Sequence, residues 1–264
     1  MEYFIKTGYI DLKTTFFCGQ CFRWEERGGG AYYGIAGGKE TVARAEKGGV
    51  TLSGINAEDA PFWERYFCVD EDYPALIKRF SRDETLKAAC DFAPGIRVLR
   101  QEPFEALISF IISQNNNIKR IIGIIKRLCE LYGERLKGGY AFPAPEVLAC
   151  LGKDDLAPLR AGFRDRYILD AAERVASGEI RLDEIADSPY NDGRAELMKI
   201  IGVGEKVADC VLLFGFHKTE AFPRDVWIKR VMAEHYPDGL PPCAKGCEGI
   251  AQQFLFHYMR SRIV

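Results

Sequence analysis

The sequence predicts an α+β protein: an N-terminal antiparallel β-sheet domain, residues 1–98, followed by a larger all-helical domain, residues 99–264. Short runs rich in aromatic and β-branched residues, separated by glycine clusters, fill the first part and are typical of hairpin-linked strands. Beyond about residue 56, apolar residues recur at three- and four-residue spacing, the pattern of helices with one buried face. A Gly-Val-Gly turn between two short helical segments is the third observation.

The strands come first along the chain. The runs that predict them are residues 21–25, 31–35, 39–45 and 50–52. Glycines at 28–30, 37–38 and 48–49 separate these runs, and glycine suits the tight turns of hairpins. The alternation of short strand and turn predicts an antiparallel sheet.

Helices follow from Asn56, a residue type that caps helix starts. Pro103 fits the first turn of a strong helix over 104–114. Residues 117–132 repeat apolar side chains against lysines and arginines, which predicts an amphipathic helix with a basic outer side. Further helices are predicted over 164–176, 194–200, 206–215, 226–235 and 246–259, and the two domains join near 97–101.

The composition excludes few classes of protein. A net charge of −2 gives no global sign of a nucleic-acid partner, although a local basic face would suffice for one. Met1 leads into no export signal, and the longest apolar run, near 107–112, is too short to span a bilayer. We therefore expect a cytoplasmic protein with no membrane partner.

Cysteine spacing leaves one metal site open. The nine cysteines are scattered and odd in number, which favours free thiols. The pairs Cys18/Cys21 and Cys243/Cys247 are the alternative, because together they could form a four-thiolate zinc site. No tight four-cysteine cluster is present that would hold an iron–sulfur centre.

The Gly202-Val203-Gly204 turn predicts a helix–hairpin–helix. Glycine permits a positive φ and lets a partner approach the backbone closely. The helix that follows begins with outward-facing N–H groups, which suit a DNA phosphate. An ordinary turn within a helical bundle is the alternative interpretation of this pattern alone.

Lys206 lies in the first turn of that second helix. The positive end of a helix disfavours an ammonium there, so it favours the neutral amine, the form that acts as a nucleophile. Cys210 is four residues further and shares its helix face. A solvated lysine and a small buried cysteine are the purely structural alternatives.

Asp225 directly precedes a helical pattern, beside Pro223. Its structural role is that of an N-cap. An ionised carboxylate held near an amine also stabilises positive charge that develops on a sugar. Lysine and aspartate together favour the catalytic interpretation over either residue alone.

Six pieces of sequence in one order resemble the 8-oxoguanine DNA glycosylases, within the helix-hairpin-helix/GPD superfamily. They are 19–24 (GQCFRW), 99–103 (LRQEP), 113–120 (SQNNNIKR), 162–167 (GFRDRY), 202–210 (GVGEKVADC) and the corner at Asp225. The resemblance covers almost the whole chain. It implies a monomeric DNA glycosylase/lyase with no cofactor and no metal-ligating side chains, whose partner is double-stranded DNA containing 8-oxoguanine. The resemblance leaves open whether the hairpin carbonyls hold an ion.

The resemblance also implies roles for individual residues. Lys206 attacks the sugar C1′, and Asp225 assists at the sugar. The flipped base is bound by the Gly19 carbonyl, which accepts the N7–H that guanine lacks, by Gln252 at the pairing edge, and by Phe256 and Cys210 on the two ring faces. The DNA-binding residues are Asn115, which fills the gap in the stack, Phe163, which wedges beside it, Arg120 and Arg164, which hold the orphaned cytosine, and Gly202, Gly204 and Trp227 at the backbone.

Some positions depart from the family pattern. Trp227 stands where histidine is frequent, Ile201 replaces a proline before the hairpin, and Phe163 replaces a tyrosine. These differences bear on the phosphate contacts and leave the predicted reaction unchanged. Taken singly, the asparagines, phenylalanines and arginines also fit loops, core positions and solvated faces.

Other functions compete with this one. Iron–sulfur glycosylases need the absent cysteine cluster, and glycosylases for alkylated bases usually lack the hairpin lysine. A non-catalytic DNA-binding module would show salt-dependent affinity for duplex without a covalent adduct. A metal-binding regulator would use the four paired cysteines.

Overall fold

The sheet at the start of the chain is antiparallel throughout. In the computed structural model, which describes residues 1–8 and 10–263, its strands are β1 (Glu2–Lys6), β2 (Trp24–Glu26), β3 (Ala31–Ala36), β4 (Lys39–Glu46) and β5 (Gly49–Ser53). They lie in the order β1-β5-β4-β3-β2. Hairpins join β2 to β3, β3 to β4 and β4 to β5, and β1 pairs with β5 at one edge.

The sheet confirms most of the predicted strands and corrects two points. The strand over Glu2–Lys6 was not predicted. The predicted run over 21–25 is a strand only from Trp24 onward, because Cys21 and Phe22 lie in a buried turn before it. Sheet followed by helices is the predicted fold class, and it is confirmed.

Helices make up the rest of the molecule. They are α1 (Leu12–Phe17), α2 (Ala60–Tyr66), α3 (Tyr73–Phe80), α4 (Glu84–Phe92), α5 (Pro103–Ser113), α6 (Ile118–Tyr132), α7 (Pro145–Ala149), α8 (Lys153–Leu156), α9 (Asp165–Ala176), α10 (Leu182–Asp187), α11 (Tyr190–Leu197), α12 (Glu205–Phe216), α13 (Val226–His235) and α14 (Glu248–Ile263). Every helix predicted above has a counterpart. The sequence patterns did not indicate α1, α3, α4, α7, α8 or α10.

Two hydrophobic cores underlie this arrangement. Under the sheet, Phe16 stacks on Trp24 with ring centroids 3.8 Å apart, next to the buried Trp63. The larger core surrounds α5, which is buried on almost every side and packs against α12. Helices α3 and α4 precede residue 98 but contribute to this larger core. The domain boundary at 98/99 therefore stays a prediction.

Two further observations concern the whole described chain. Within residues 1–8 and 10–263, no helix combines the length and apolar character needed to cross a bilayer. All nine cysteines lie within these residues and are free thiols.

Candidate active site

The hairpin between α11 and α12 has the predicted local structure. Gly202 adopts φ +81°. A Cβ built there would lie 2.5 Å from the Tyr167 ring, so this turn admits only glycine without movement. Gly204 is the N-cap of α12 in extended conformation, and its carbonyl accepts the N–H groups of Val207 and Ala208. The first N–H groups of α12 thus face outward at an exposed helix start.

Lys206 is the second residue of α12 and is half-buried. Its Nζ lies 5.4 Å from the centroid of the Phe110 ring on α5. Cys210, one turn further, is buried, and burial raises the pKa of its thiol to about 11, although nearby Lys206 opposes this shift. The thiol is therefore protonated near neutral pH, so Lys206 stays the predicted nucleophile on this face of the helix.

Asp225 caps the start of α13. Its Oδ1 accepts hydrogen bonds from the backbone N–H of Trp227 at 3.0 Å and of Ile228 at 2.8 Å. Burial raises the pKa of Asp225 above its ordinary value, while the hydrogen bond from Ile228 and the charge of Lys206 act in the opposite direction. The cap fixes the carboxylate within electrostatic reach of the amine.

Lys206 and Asp225 share one cleft with a volume of about 1250 Å³. Its walls are the start of α12, the start of α13, the turn between α5 and α6, and α14. The predicted site residues among its lining are Asn115, Gly204, Lys206, Asp225, Trp227 and Phe256. We call residues 202–206 together with Asp225 the catalytic corner.

Gly19 lies near Phe256. It adopts φ +95°, and a Cβ built on it would come 3.7 Å from Phe256 and 3.9 Å from a guanidinium nitrogen of Arg260. Gln252 lies one turn before Phe256 on α14 and is 5 % exposed. Gln252 is not among the residues that line the cleft, and it joins this group as a predicted contact. We call Gly19, Gln252, Phe256 and Arg260 the base pocket.

The Gln252 side chain lacks a partner for its carbonyl oxygen. Among the described residues, no donor reaches its buried Oε1. A buried acceptor without a donor costs free energy. A ligand that offers N–H groups at this point would recover it, which fits the pairing edge of a guanine-type base with its N1–H and 2-amino groups.

Gln20 fixes the turn that carries Gly19. Its buried side chain donates to the carbonyl of Arg97 at 2.7 Å and accepts the N–H of Leu99 at 2.8 Å. The side chain of Gln101 in turn donates to the Gln20 carbonyl at 2.7 Å. These bonds tie the turn to the segment that leads into α5, so Gly19 is held in place relative to the helical core.

The predicted orphan-base arginines differ in burial. Arg164 is 2 % exposed and donates to the carbonyls of Gln114, Asn115 and Ala161. It thereby supports the exposed Asn115, whose φ is +46°. Arg120 is exposed. The contact predicted between Arg164 and an orphaned cytosine stays a prediction, since in this structure that side chain supports the turn instead.

Phe163 is exposed, as a side chain that wedges into DNA must be, and its wedge role stays a prediction. The side chain is 51 % exposed. The guanidinium of Arg164, which supports the Asn115 turn, lies over the Phe163 ring at 4.4 Å from its centroid. Trp227 is half-buried, and its backbone N–H is used by Asp225. Its predicted phosphate contact therefore depends on the indole ring, and it stays a prediction.

The motifs missed two groups that line the cleft. Arg194 on α11 contacts Glu205 and Asp209, each at 3.1 Å, and Tyr190 donates to Asp209 at 2.8 Å. Burial raises the pKa of Asp209. The only signal in the sequence is the four-residue spacing of the two acids. The other missed group is Arg260, for which the sequence carries no signal.

The paired cysteines do not form a metal site in the described structure. In residues 1–8 and 10–263, no three His, Cys, Asp or Glu side chains converge as ligands. Burial raises the pKa of the Cys18 thiol to about 11 and that of Cys21 well above its ordinary value. Both thiols therefore resist conversion to the thiolate that zinc binds.

Two family models match almost the whole chain. Residues 2–107 match the N-terminal domain of 8-oxoguanine DNA glycosylase. Residues 108–239 match the HhH-GPD superfamily of base excision DNA repair proteins. The second match spans the hairpin, Lys206 and Asp225.

Individual relatives agree with the models. A probable N-glycosylase/DNA lyase of Methanothermobacter thermautotrophicus is 35 % identical over 60 % of the chain and 58 % of its own length. The N-glycosylase/DNA lyase of Saccharomyces cerevisiae is 38 % identical over 57 % of the chain, and the match spans 44 % of that protein. The chain thus covers about half of these curated relatives.

A solved structure is similar over its full length. The 8-oxoguanine glycosylase/lyase of Clostridium acetobutylicum, in complex with double-stranded DNA containing cytosine opposite 8-oxoguanine, is 37 % identical. It superposes with a TM-score of 0.91, covering 100 % of the present chain and 99 % of that chain.

Proposed function

The chain belongs to the HhH-GPD superfamily of base excision DNA repair proteins, and we propose that it is a bifunctional DNA glycosylase/lyase that excises 8-oxoguanine opposite cytosine from duplex DNA. One observation carries the proposal: Lys206 and the ionisable, capped Asp225 line one open cleft with Phe256, beside Gly19. The named relatives and the complex from Clostridium acetobutylicum support the choice of substrate. The cytoplasmic location expected from the sequence stays part of this proposal.

The enzyme reaches its target by extruding one nucleotide from the stack. Unstacking and unpairing a base costs a few kcal/mol, which contacts to the gap and to the flipped base offset. Asn115, exposed on its turn, enters the gap, and Phe163 wedges beside it. Arg120 offers guanidinium donors to O2 and N3 of the cytosine left behind.

The base pocket distinguishes the oxidised base from guanine. Oxidation at C8 places a hydrogen on N7, and the Gly19 carbonyl accepts it. Guanine presents a lone pair at N7, so two acceptors would face each other, which is repulsive. Gln252 accepts from the pairing edge through its unpartnered Oε1. Phe256 and Cys210 cover the two faces of the ring.

The catalytic corner performs the chemistry at the sugar. The Lys206 amine forms a bond to C1′ as the bond from C1′ to the base breaks, and the electron pair leaves with the base. Asp225 stabilises the positive charge that develops on the sugar during this exchange. Loss of the amine proton and ring opening give a Schiff base. Removal of a C2′ proton then expels the 3′ phosphate, which nicks the strand.

Borohydride trapping tests the proposal. With a duplex bearing 8-oxoguanine opposite cytosine, borohydride should reduce the Schiff base and yield a covalent protein–DNA band. Lys206→Gln should abolish both the band and base release. Lys229→Gln, which removes another lysine of the same cleft, should still form the band. Base release by Lys206→Gln at the rate of the unmutated protein would refute the proposed reaction.

A further inference from the structure

The base pocket contains a cation that no motif assigns a role. Arg260 lies on α14, one turn beyond Phe256, and its guanidinium carbon is 6.0 Å from the centroid of the Phe256 ring. One of its terminal nitrogens is 3.9 Å from the position of a Cβ built on Gly19. The side chain lines the same cleft as Lys206 and is half-buried.

The charge of Arg260 is not neutralised within the described part of the chain. No carboxylate of residues 1–8 and 10–263 pairs with its guanidinium, and no carbonyl there accepts a hydrogen bond from it. Arg262, two residues further on the same helix, is different, because it donates to the Tyr258 hydroxyl at 2.8 Å and covers that ring on the exposed surface. With respect to the described residues, the donors of Arg260 are therefore available to whatever enters the cleft.

We propose that Arg260 donates a hydrogen bond to a carbonyl oxygen of the flipped purine and stabilises the negative charge that the base acquires as it leaves. This inference rests on the proposed function. If the Gly19 carbonyl accepts N7–H, a donor beside Gly19 lies close to the edge of the base that carries N7, where the flanking acceptors are the oxygens at C6 and C8. Both are acceptors, and a guanidinium offers a donor to either of them.

The contact strengthens as the reaction proceeds. The bond between C1′ and N9 breaks while the Lys206 nitrogen bonds to C1′, and the electron pair passes to the base. That negative charge is shared among N9 and the two carbonyl oxygens. A hydrogen bond from a cation gains strength as its acceptor becomes anionic, so Arg260 favours the transition state over the bound substrate. The released base anion then takes a proton from water.

An 8-oxoguanine duplex and a duplex with a preformed abasic site distinguish this role from a contact to a backbone phosphate. Arg260→Met removes the charge and keeps an unbranched side chain. Its single-turnover rate of 8-oxoguanine release should fall roughly 10- to 100-fold, the range for one lost hydrogen bond to a charged group. Its rate of Schiff-base trapping on a duplex with a preformed abasic site should not change, because that substrate has no base. Arg260→Lys should recover part of the lost rate.

Arg262→Met is the matched control, since it removes the same charge from the same helix at an exposed position. It should behave as the unmutated protein on both substrates. If Arg260→Met instead slowed base release and Schiff-base trapping equally and weakened binding of the abasic duplex, that result would assign Arg260 to a backbone phosphate and overturn the inference. Unchanged base release by Arg260→Met would also overturn it. Absence of 8-oxoguanine release by the unmutated protein would instead refute the proposed function itself.

Discussion

The catalytic corner and the base pocket are built in different ways. The corner comes from one stretch of chain, and its geometry is fixed by local devices: the Gly202 turn, the Gly204 cap and the Asp225 cap. The pocket joins a turn near the N-terminus to the last helix, and the Gln20 hydrogen bonds hold that turn in place. In the reaction we propose, the corner acts on the sugar in both base release and strand cleavage, whereas the pocket acts on the base alone. The two regions should therefore be separable by mutation.

The largest effect should come from the corner. Asp225→Asn should slow base release on the order of 100- to 1000-fold, because the carboxylate that stabilises the sugar cation is lost. Strand cleavage at a preformed abasic site should slow as well. Asparagine also caps helices, so α13 should keep its start. Single-turnover rates on the two substrates measure both steps, and loss of base release alone would break the division between the regions.

The same variant makes a prediction about pH and stability. Burial raises the pKa of Asp225 in the folded state above its ordinary value. The folded protein then binds this proton more tightly than the unfolded chain, so stability falls as pH rises through that window. Asp225→Asn removes the effect. It should be more stable than the unmutated protein at neutral pH, with the difference shrinking in acid. Thermal melts across pH measure this, and a less stable variant at neutral pH would contradict it.

A change in the base pocket should slow base release and leave strand cleavage at an abasic site unchanged. Gln252→Met keeps the size of the side chain and removes the acceptor at the pairing edge, so base release should fall about 10- to 100-fold. Cleavage at a preformed abasic site should be unchanged. Stability should not fall, since the change also removes a buried carbonyl that lacks a donor. A matching loss on the abasic duplex would show that Gln252 supports the corner as well.

A smaller effect should follow from the hairpin itself. Gly202→Ala places a Cβ 2.5 Å from the Tyr167 ring at φ +81°. Strain of this kind costs about 1–3 kcal/mol of unfolding free energy. Gly204→Ala is the stability control, because that residue is extended and faces open space, and it should cost less than about 1 kcal/mol. Urea denaturation compares the two, and equal losses would show that the turn tolerates a side chain.

The smallest effect should concern the base opposite the lesion. Arg120 belongs to neither region and is exposed. Arg120→Ala should lower the preference for cytosine about fivefold, for one hydrogen bond worth about 1 kcal/mol. Cleavage of 8-oxoguanine paired with each of the four bases measures the preference. If the unmutated protein cut all four pairs equally, the role assigned to Arg120 would be wrong.

The catalytic corner is the region whose local structure the sequence predicts best. The hairpin, the lysine at the helix start and the Asp225 cap depend on neighbours within a few residues, so the amino acids themselves indicate them. Strand β1 was missed because its partner, β5, is distant in sequence, and five residues carry little pattern.

Tertiary packing decides the remaining features. The motif that contains Arg164 does not reveal that its guanidinium is buried under the Asn115 turn. Arg260 enters the pocket only because α14 passes the Gly19 turn, some 240 positions away in the chain. Contacts between distant segments leave no periodic trace in a single sequence.

The most direct measurement is to locate the covalent bond. The adduct reduced by borohydride on the 8-oxoguanine duplex can be digested and its modified peptide sequenced by mass spectrometry. The account predicts a deoxyribose fragment on the side chain of Lys206. A fragment on any other residue, or release of the base with no adduct at all, would contradict it.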